Sequence, residues 1–115
     1  MKKLIVLEKI KYFLTRGIII GGYSSPAFRN TIDFITIATT GNASDFGDLT
    51  VARTGTDGCS NKTRAAMCGG SSPTYENLID FVTLATTGDA ADFGDLIVAR
   101  TSYSGCTSDS HGGLE

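Results

Sequence analysis

The residues best suited to chemistry in this chain come in small groups that occur twice. Asp45-Phe46-Gly47 and Asp92-Phe93-Gly94 carry the tripeptide with which protein kinases hold magnesium. That chemistry also needs a Gly-rich phosphate loop, a Lys–Glu pair and a His-Arg-Asp loop, and the sequence has none of them. Two copies at matching places argue for a turn, not a catalytic centre. Asp45 with Asp48, and Asp92 with Asp95, set carboxylates three residues apart. A calcium loop needs more converging oxygens and a terminal Glu, so these aspartates are expected to cap backbone N–H groups in tight turns. The doublets Gly21-Gly22 and Gly69-Gly70 open no phosphate-binding pattern. They are expected to permit a bulge or a close approach of backbones. Arg16 matches Arg64, and Arg53 matches Arg100. A ring of such arginines could bind a ligand in a channel, but ion pairing to Asp48 or Asp95, or to a neighbouring unit, is the favoured expectation. His111 is the one histidine and has no nucleophile or orienting acid in a triad pattern. Cys59, Cys68 and Cys106 lack metal-ligand spacing and are odd in number, so they are read as small buried apolar side chains. No catalytic residue, cofactor or metal site is therefore expected.

The elements that must position these groups follow from an internal repeat. Asn30–Cys59 and Asn77–Cys106 align without a gap at an offset of 47 residues and are identical at 21 of 30 positions. Upstream, Thr15-Arg16 matches Thr63-Arg64 and the Gly doublets match at an offset of 48. The organisation expected is a non-repeating segment 1–14, a first repeat 15–53, a second repeat 54–100, and the start of a third over 101–115. Within a unit, Ile18–Ile20 reads as a strand ended by the Gly doublet. Thr31–Thr39 alternates with apolar groups on both sides, Ile32 and Phe34 facing one way and Ile35 and Ile37 the other, as in a strand covered on both faces. Gly41-Asn42 marks a turn, Asp45–Asp48 a short strand or turn with one aromatic anchor, and Leu49–Arg53 and Thr54–Cys59 lead into the next unit. Gly or Thr interrupts every helical stripe. Fourteen glycines against two prolines favour tight turns between short strands.

A unit of this length with four short strands predicts an all-β fold of about two four-stranded propeller blades. The parallel β-helix is the main structural rival, with shorter rungs. The runs ending in Gly doublets resemble the second strand of a kelch blade. Asn-x-Ile-Asp-Phe resembles the third, and Phe46 and Phe93 stand where kelch units usually carry Trp. The wording Thr-Ile-Asp-Phe-Ile-Thr-Ile-Ala-Thr-Thr-Gly-Asn-Ala-Ser-Asp-Phe-Gly-Asp-Leu is similar to kelch-like arrays in structural proteins of tailed phages. That resemblance covers about residues 15–115. It implies a virion-associated or tail-fibre-like role without catalysis.

Two blades cannot close a ring of about 4–8. The expected partners are therefore further blades, from self-association (a trimer would make six) or from a longer parent chain. Net charge is −2 with no basic stripe, which disfavours nucleic acid. The apolar run Leu4–Leu7 is too short for a signal core or a membrane span, so neither secretion nor membrane insertion is expected; the location implied is the virion, otherwise the cytoplasm. The units differ most at Tyr23–Arg29 against Ser71–Glu76. Loops on a rigid scaffold carry recognition, so Tyr23, Phe28, Arg29, Tyr75 and Glu76 are the candidate ligand-binding residues, with a host-surface glycan or protein as ligand. The alternative is a kelch-like adaptor or lectin-like module using the same loop tips.

Overall fold

The computed structural model describes residues 16–101 and 105–108. Segment 1–14, His111 and most of the stretch 101–115 lie outside the described residues. The fold is all-β. Seven strands run in order: β1 (Arg16–Ser24), β2 (Ala27–Thr36), β3 (Ser44–Asp48), β4 (Asp57–Ser60), β5 (Arg64–Cys68), β6 (Leu78–Thr83) and β7 (Ala91–Asp95). They form two antiparallel sheets, β1-β2-β3 and β4-β5-β6-β7. No helix among the described residues is long and apolar enough to cross a membrane.

Repeat equivalence makes β5, β6 and β7 the counterparts of β1, β2 and β3. Three local expectations are corrected. The Gly doublet does not end the first strand: β1 continues through it, shifting register between Ile20 and Gly22, with Gly21 at φ 56°. The stretch 23–29 is not a free loop but the tip of a β1–β2 hairpin, turning at Ser25-Pro26. The strand expected over Thr31–Thr39 begins earlier, at Ala27, and stops at Thr36, and after β3 the stretch Leu49–Arg53 turns inward and buries Leu49 and Arg53. The strand that follows it, β4, pairs with β5 and so completes the second sheet. Asn61 holds the β4–β5 turn, its Oδ1 accepting from Thr63 N–H at 2.9 Å and Arg64 N–H at 2.8 Å.

Alternation along the strands gives each sheet two faces. On the first sheet, Ile18, Ile20, Ile32 and Phe34 share what we term the front face with Phe46, and Gly17, Ile19, Asp33 and Ile35 share the back. On the second, Ala65, Met67, Asp80 and Val82 share the back, and Ala66, Cys68, Ile79 and Phe81 the front. The front of the first sheet packs on the back of the second. Ile32, Phe46 and Leu49 meet Ala65, Met67 and Val82 in one buried cluster. Each such large apolar side chain contributes about 1.5–3 kcal/mol when fully buried.

The backbones also bond across this seam. Gly88 N–H donates to the Phe46 carbonyl and Ala90 N–H to the Asp48 carbonyl, both at 2.8 Å. A Cβ on Gly47 would overlap the Gly88 carbonyl, so only glycine allows that approach.

An ion pair is sealed inside the seam. Arg53, from the turn after β3, reaches Asp80 of β6 with Nη1 at 3.1 Å, and both side chains are essentially inaccessible. Arg53 Nε donates to the Gly69 carbonyl at 2.7 Å, and Nη2 to the Met67 carbonyl at 3.4 Å. Asp80 also accepts from the Thr50 N–H at 3.1 Å and the Thr50 hydroxyl at 2.8 Å. The carboxylate partner of Arg53 is thus on the neighbouring unit, not Asp48. Breaking a buried pair by removing one partner strands the other charge. Asp80→Ala is therefore expected to lower unfolding free energy by about 3–5 kcal/mol. Asp33→Ala, at the matching position on the half-exposed back of the first sheet, should cost less than about 1 kcal/mol. Urea denaturation in dilute solution compares the two.

Candidate functional site

The segment after the buried arginine organises one rim of the molecule. Arg53 N–H donates to the Arg29 carbonyl at 3.1 Å, and its own carbonyl accepts from Gly22 N–H at 2.9 Å. Thr54 and Ser71 exchange backbone hydrogen bonds of 3.0 and 2.8 Å. These bonds set the β1–β2 hairpin tip and the β5–β6 connection side by side, although one is a regular hairpin and the other an irregular turn.

The candidate residues divide between them. Tyr23 and Phe28 are cross-strand partners whose rings meet edge to face at 5.3 Å. Arg29 donates from Nε to the Ser24 hydroxyl at 2.6 Å. Tyr23 and Phe28 thus form an aromatic pair on one side of the hairpin, and Arg29 holds its guanidinium against Ser24 on the other. Tyr75 lies on the neighbouring connection with its ring largely exposed. Glu76 is half-buried and is held within its own turn: its carboxylate accepts from Ser72 Oγ, and its N–H donates to the Gly70 carbonyl. Glu76 thus shapes the turn that presents Tyr75. Exposed rings with one apolar body and a polar tip suit recognition of sugars or peptides.

No family model matches the sequence, and no curated protein matches it. The site therefore has to be read from its own geometry.

A second cluster was not legible from spacing. Cys59, Cys68 and Cys106 are free, half-buried thiols, not fully buried apolar groups, and Cys106 lies beside both of the others. Its hydrogen bond to Cys59, with burial, pushes the Cys59 thiol up from 9.0 to about 11. Burial raises Cys68 and Cys106 as well. The trio is invisible in sequence because Cys59 and Cys68 meet through the β4–β5 pairing, and Cys106 arrives from the following repeat. Among the described residues, no group of three or more His, Cys, Asp or Glu side chains is arranged to hold a metal ion. At the opposite end from the rim, a shallow depression of about 100 Å³ is lined by Phe34, Thr36, Asn42 and Ser44; it is too small for a drug-sized ligand.

Elevated thiol values have a signed consequence. Below the ordinary value of 9.0 all three thiols are neutral in folded and unfolded chains alike. Above it the unfolded chain ionises first, so stability falls as pH rises from 9.0 towards about 11. Alkylation of Cys59 by iodoacetamide, followed by peptide mass mapping, should accordingly lag behind an unstructured thiol at pH 9 and catch up only near pH 11.

Proposed function

We propose that the chain is a non-catalytic structural or binding module. Its two sheets act as kelch-like propeller blades, and its place is on a phage virion, in a tail fibre or similar appendage. The observation that carries this reading is the division of labour between repeating and non-repeating residues. The repeated groups Ile32, Phe46, Leu49 and Arg53 build one wall of the seam, and Ala65, Met67 and Val82, whose counterparts keep apolar character but not identity, build the other; the rim is where the units differ in character, and there Tyr23, Phe28, Arg29 and Tyr75 offer aromatic and cationic contacts. A four-stranded sheet packed by its back on the front of a preceding sheet is what a blade requires. The resemblance of the repeat wording to tailed-phage structural proteins supports the location.

A host-surface glycan or protein at the rim is the ligand of this reading. The test is binding of the purified chain to a panel of bacterial envelopes and isolated surface glycans, beside immunodetection of the chain on phage particles. Binding that falls about tenfold or more in Tyr23→Ala and in Tyr75→Ala, each change worth about 1.4 kcal/mol or more, supports a recognition module. Incorporation into particles without such binding supports a purely structural one. Neither binding nor incorporation, or turnover of a sugar substrate, would overturn the reading.

A further inference from the structure

The seam inside the molecule joins two unlike surfaces, the front of one sheet and the back of the other. Each of those surfaces exists a second time, and no further sheet among the described residues packs on it. The front of the second sheet, on its β6–β7 side, repeats the buried front of the first: Ile79, Phe81, Phe93 and Leu96 stand for Ile32, Phe34, Phe46 and Leu49. Phe46 is 2% exposed and its counterpart Phe93 57%. The bare face also holds the buried geometry without a partner to impose it. Phe81 and Phe93 meet edge to face at 5.9 Å, as Phe34 and Phe46 do at 5.9 Å. Arg64 sits 4.5 Å over the Phe81 ring, as Arg16 sits 4.5 Å over Phe34.

The back of the first sheet matches the buried back of the second in the same way. Met67 is fully buried while its counterpart Ile19 is 51% exposed. The cross-strand pair Ala65–Val82 becomes Gly17–Ile35, which moves one carbon from one strand to the other and conserves the volume of the layer. Charge is matched too. The counterpart of the buried Arg53–Asp80 pair is Arg100 on one bare face and Asp33 on the other. Neither has an ion-pair partner among the described residues. Asn42 replaces Asp89 and keeps the acceptor oxygen that receives the Asp48 N–H in the internal seam. One contact is not reproduced: Ile97 stands where Thr50 donates its hydroxyl to Asp80.

We propose that copies of this chain associate head to tail, the front of the second sheet of one copy docking on the back of the first sheet of the next. Arg100 of one copy pairs with Asp33 of the other in the register of Arg53 with Asp80. The contact is heterologous, so each copy keeps one front and one back to offer and the association propagates until it closes. This inference rests on the equivalence of the two units and is independent of the virion or ligand assigned above. A chain that assembles without binding any envelope separates the two.

The test blocks one face at a time. Phe93→Lys puts a charge on the bare front and leaves the back with Asp33 intact; Asp33→Arg spoils the bare back and leaves the front with Arg100 intact, and the two altered faces repel each other because both carry added positive charge. Light scattering across a concentration series should show the unaltered chain exceeding its 12.1 kDa monomer mass, each variant alone monomeric, and an equimolar mixture forming a dimer and nothing larger, because its one junction carries two native faces. Thermal unfolding confirms that the variants are folded, and Ile35→Lys replaces Asp33→Arg if that variant is not. An unaltered chain that stays monomeric, single variants that associate as the unaltered chain does, or a mixture that remains monomeric would each overturn the proposal.

Discussion

The contact on which the rest of the structure depends is the guanidinium of Arg53 closed between two sheets. A buried ion pair is stabilising only when its geometry is good and its remaining donors and acceptors are used. Here Arg53 spends its N–H groups on Asp80 and on the carbonyls of Gly69, Met67 and Val51, and Asp80 is completed by Thr50. No buried side-chain nitrogen or oxygen among the described residues lacks a hydrogen bond. The pair does more than join two charges. It fixes the turn after β3, and the backbone of that turn ties the β1–β2 hairpin to the β5–β6 connection. The seam and the rim are thus set by the same few residues, so the presentation of Tyr23 and Tyr75 follows from how the sheets are packed.

Near-identical sequences here occupy unlike environments. Phe46 and Phe93 have the same neighbours in sequence, yet one is core and the other is surface. Intrinsic strand preference is the same for both and cannot distinguish them. What differs is only whether another sheet lies in front. A repeat unit cannot bury both of its faces alone, and large exposed apolar faces on a folded chain mark interaction surfaces. Among the described residues, one front and one back carry no further sheet, and they complement each other in volume and in charge.

Much of this was legible in the sequence. Alternation within Thr31–Thr39 marks a strand apolar on both faces, although the strand stops at Thr36; of the two roles expected for the Gly doublet, a bulge or a close approach, the structure has both, and a Cβ on Gly21 would lie 2.5 Å from the Arg53 carbonyl. The sequence leaves the partner of Arg53 open between its own unit and a neighbour, because a strand pattern shows which way Asp80 points but not which arginine reaches it. Divergence between the units at 23–29 points to a loop, whereas the cross-strand pairing of Tyr23 with Phe28 carries the two strands almost to the turn. The thiol cluster is hidden because Cys106 comes from beyond the second repeat, and spacing within one repeat does not show what the next segment packs against.

Arg53 and Asp80 act as one unit across the seam. A double-mutant cycle over Arg53→Met, Asp80→Leu and the combined variant measures it most directly, with unfolding free energies from urea denaturation. The combined change should be less harmful than the sum of the single ones, with a coupling of about 2 kcal/mol or more, because the second substitution removes the charge that the first had stranded. Effects that add to within about 0.5 kcal/mol would contradict it.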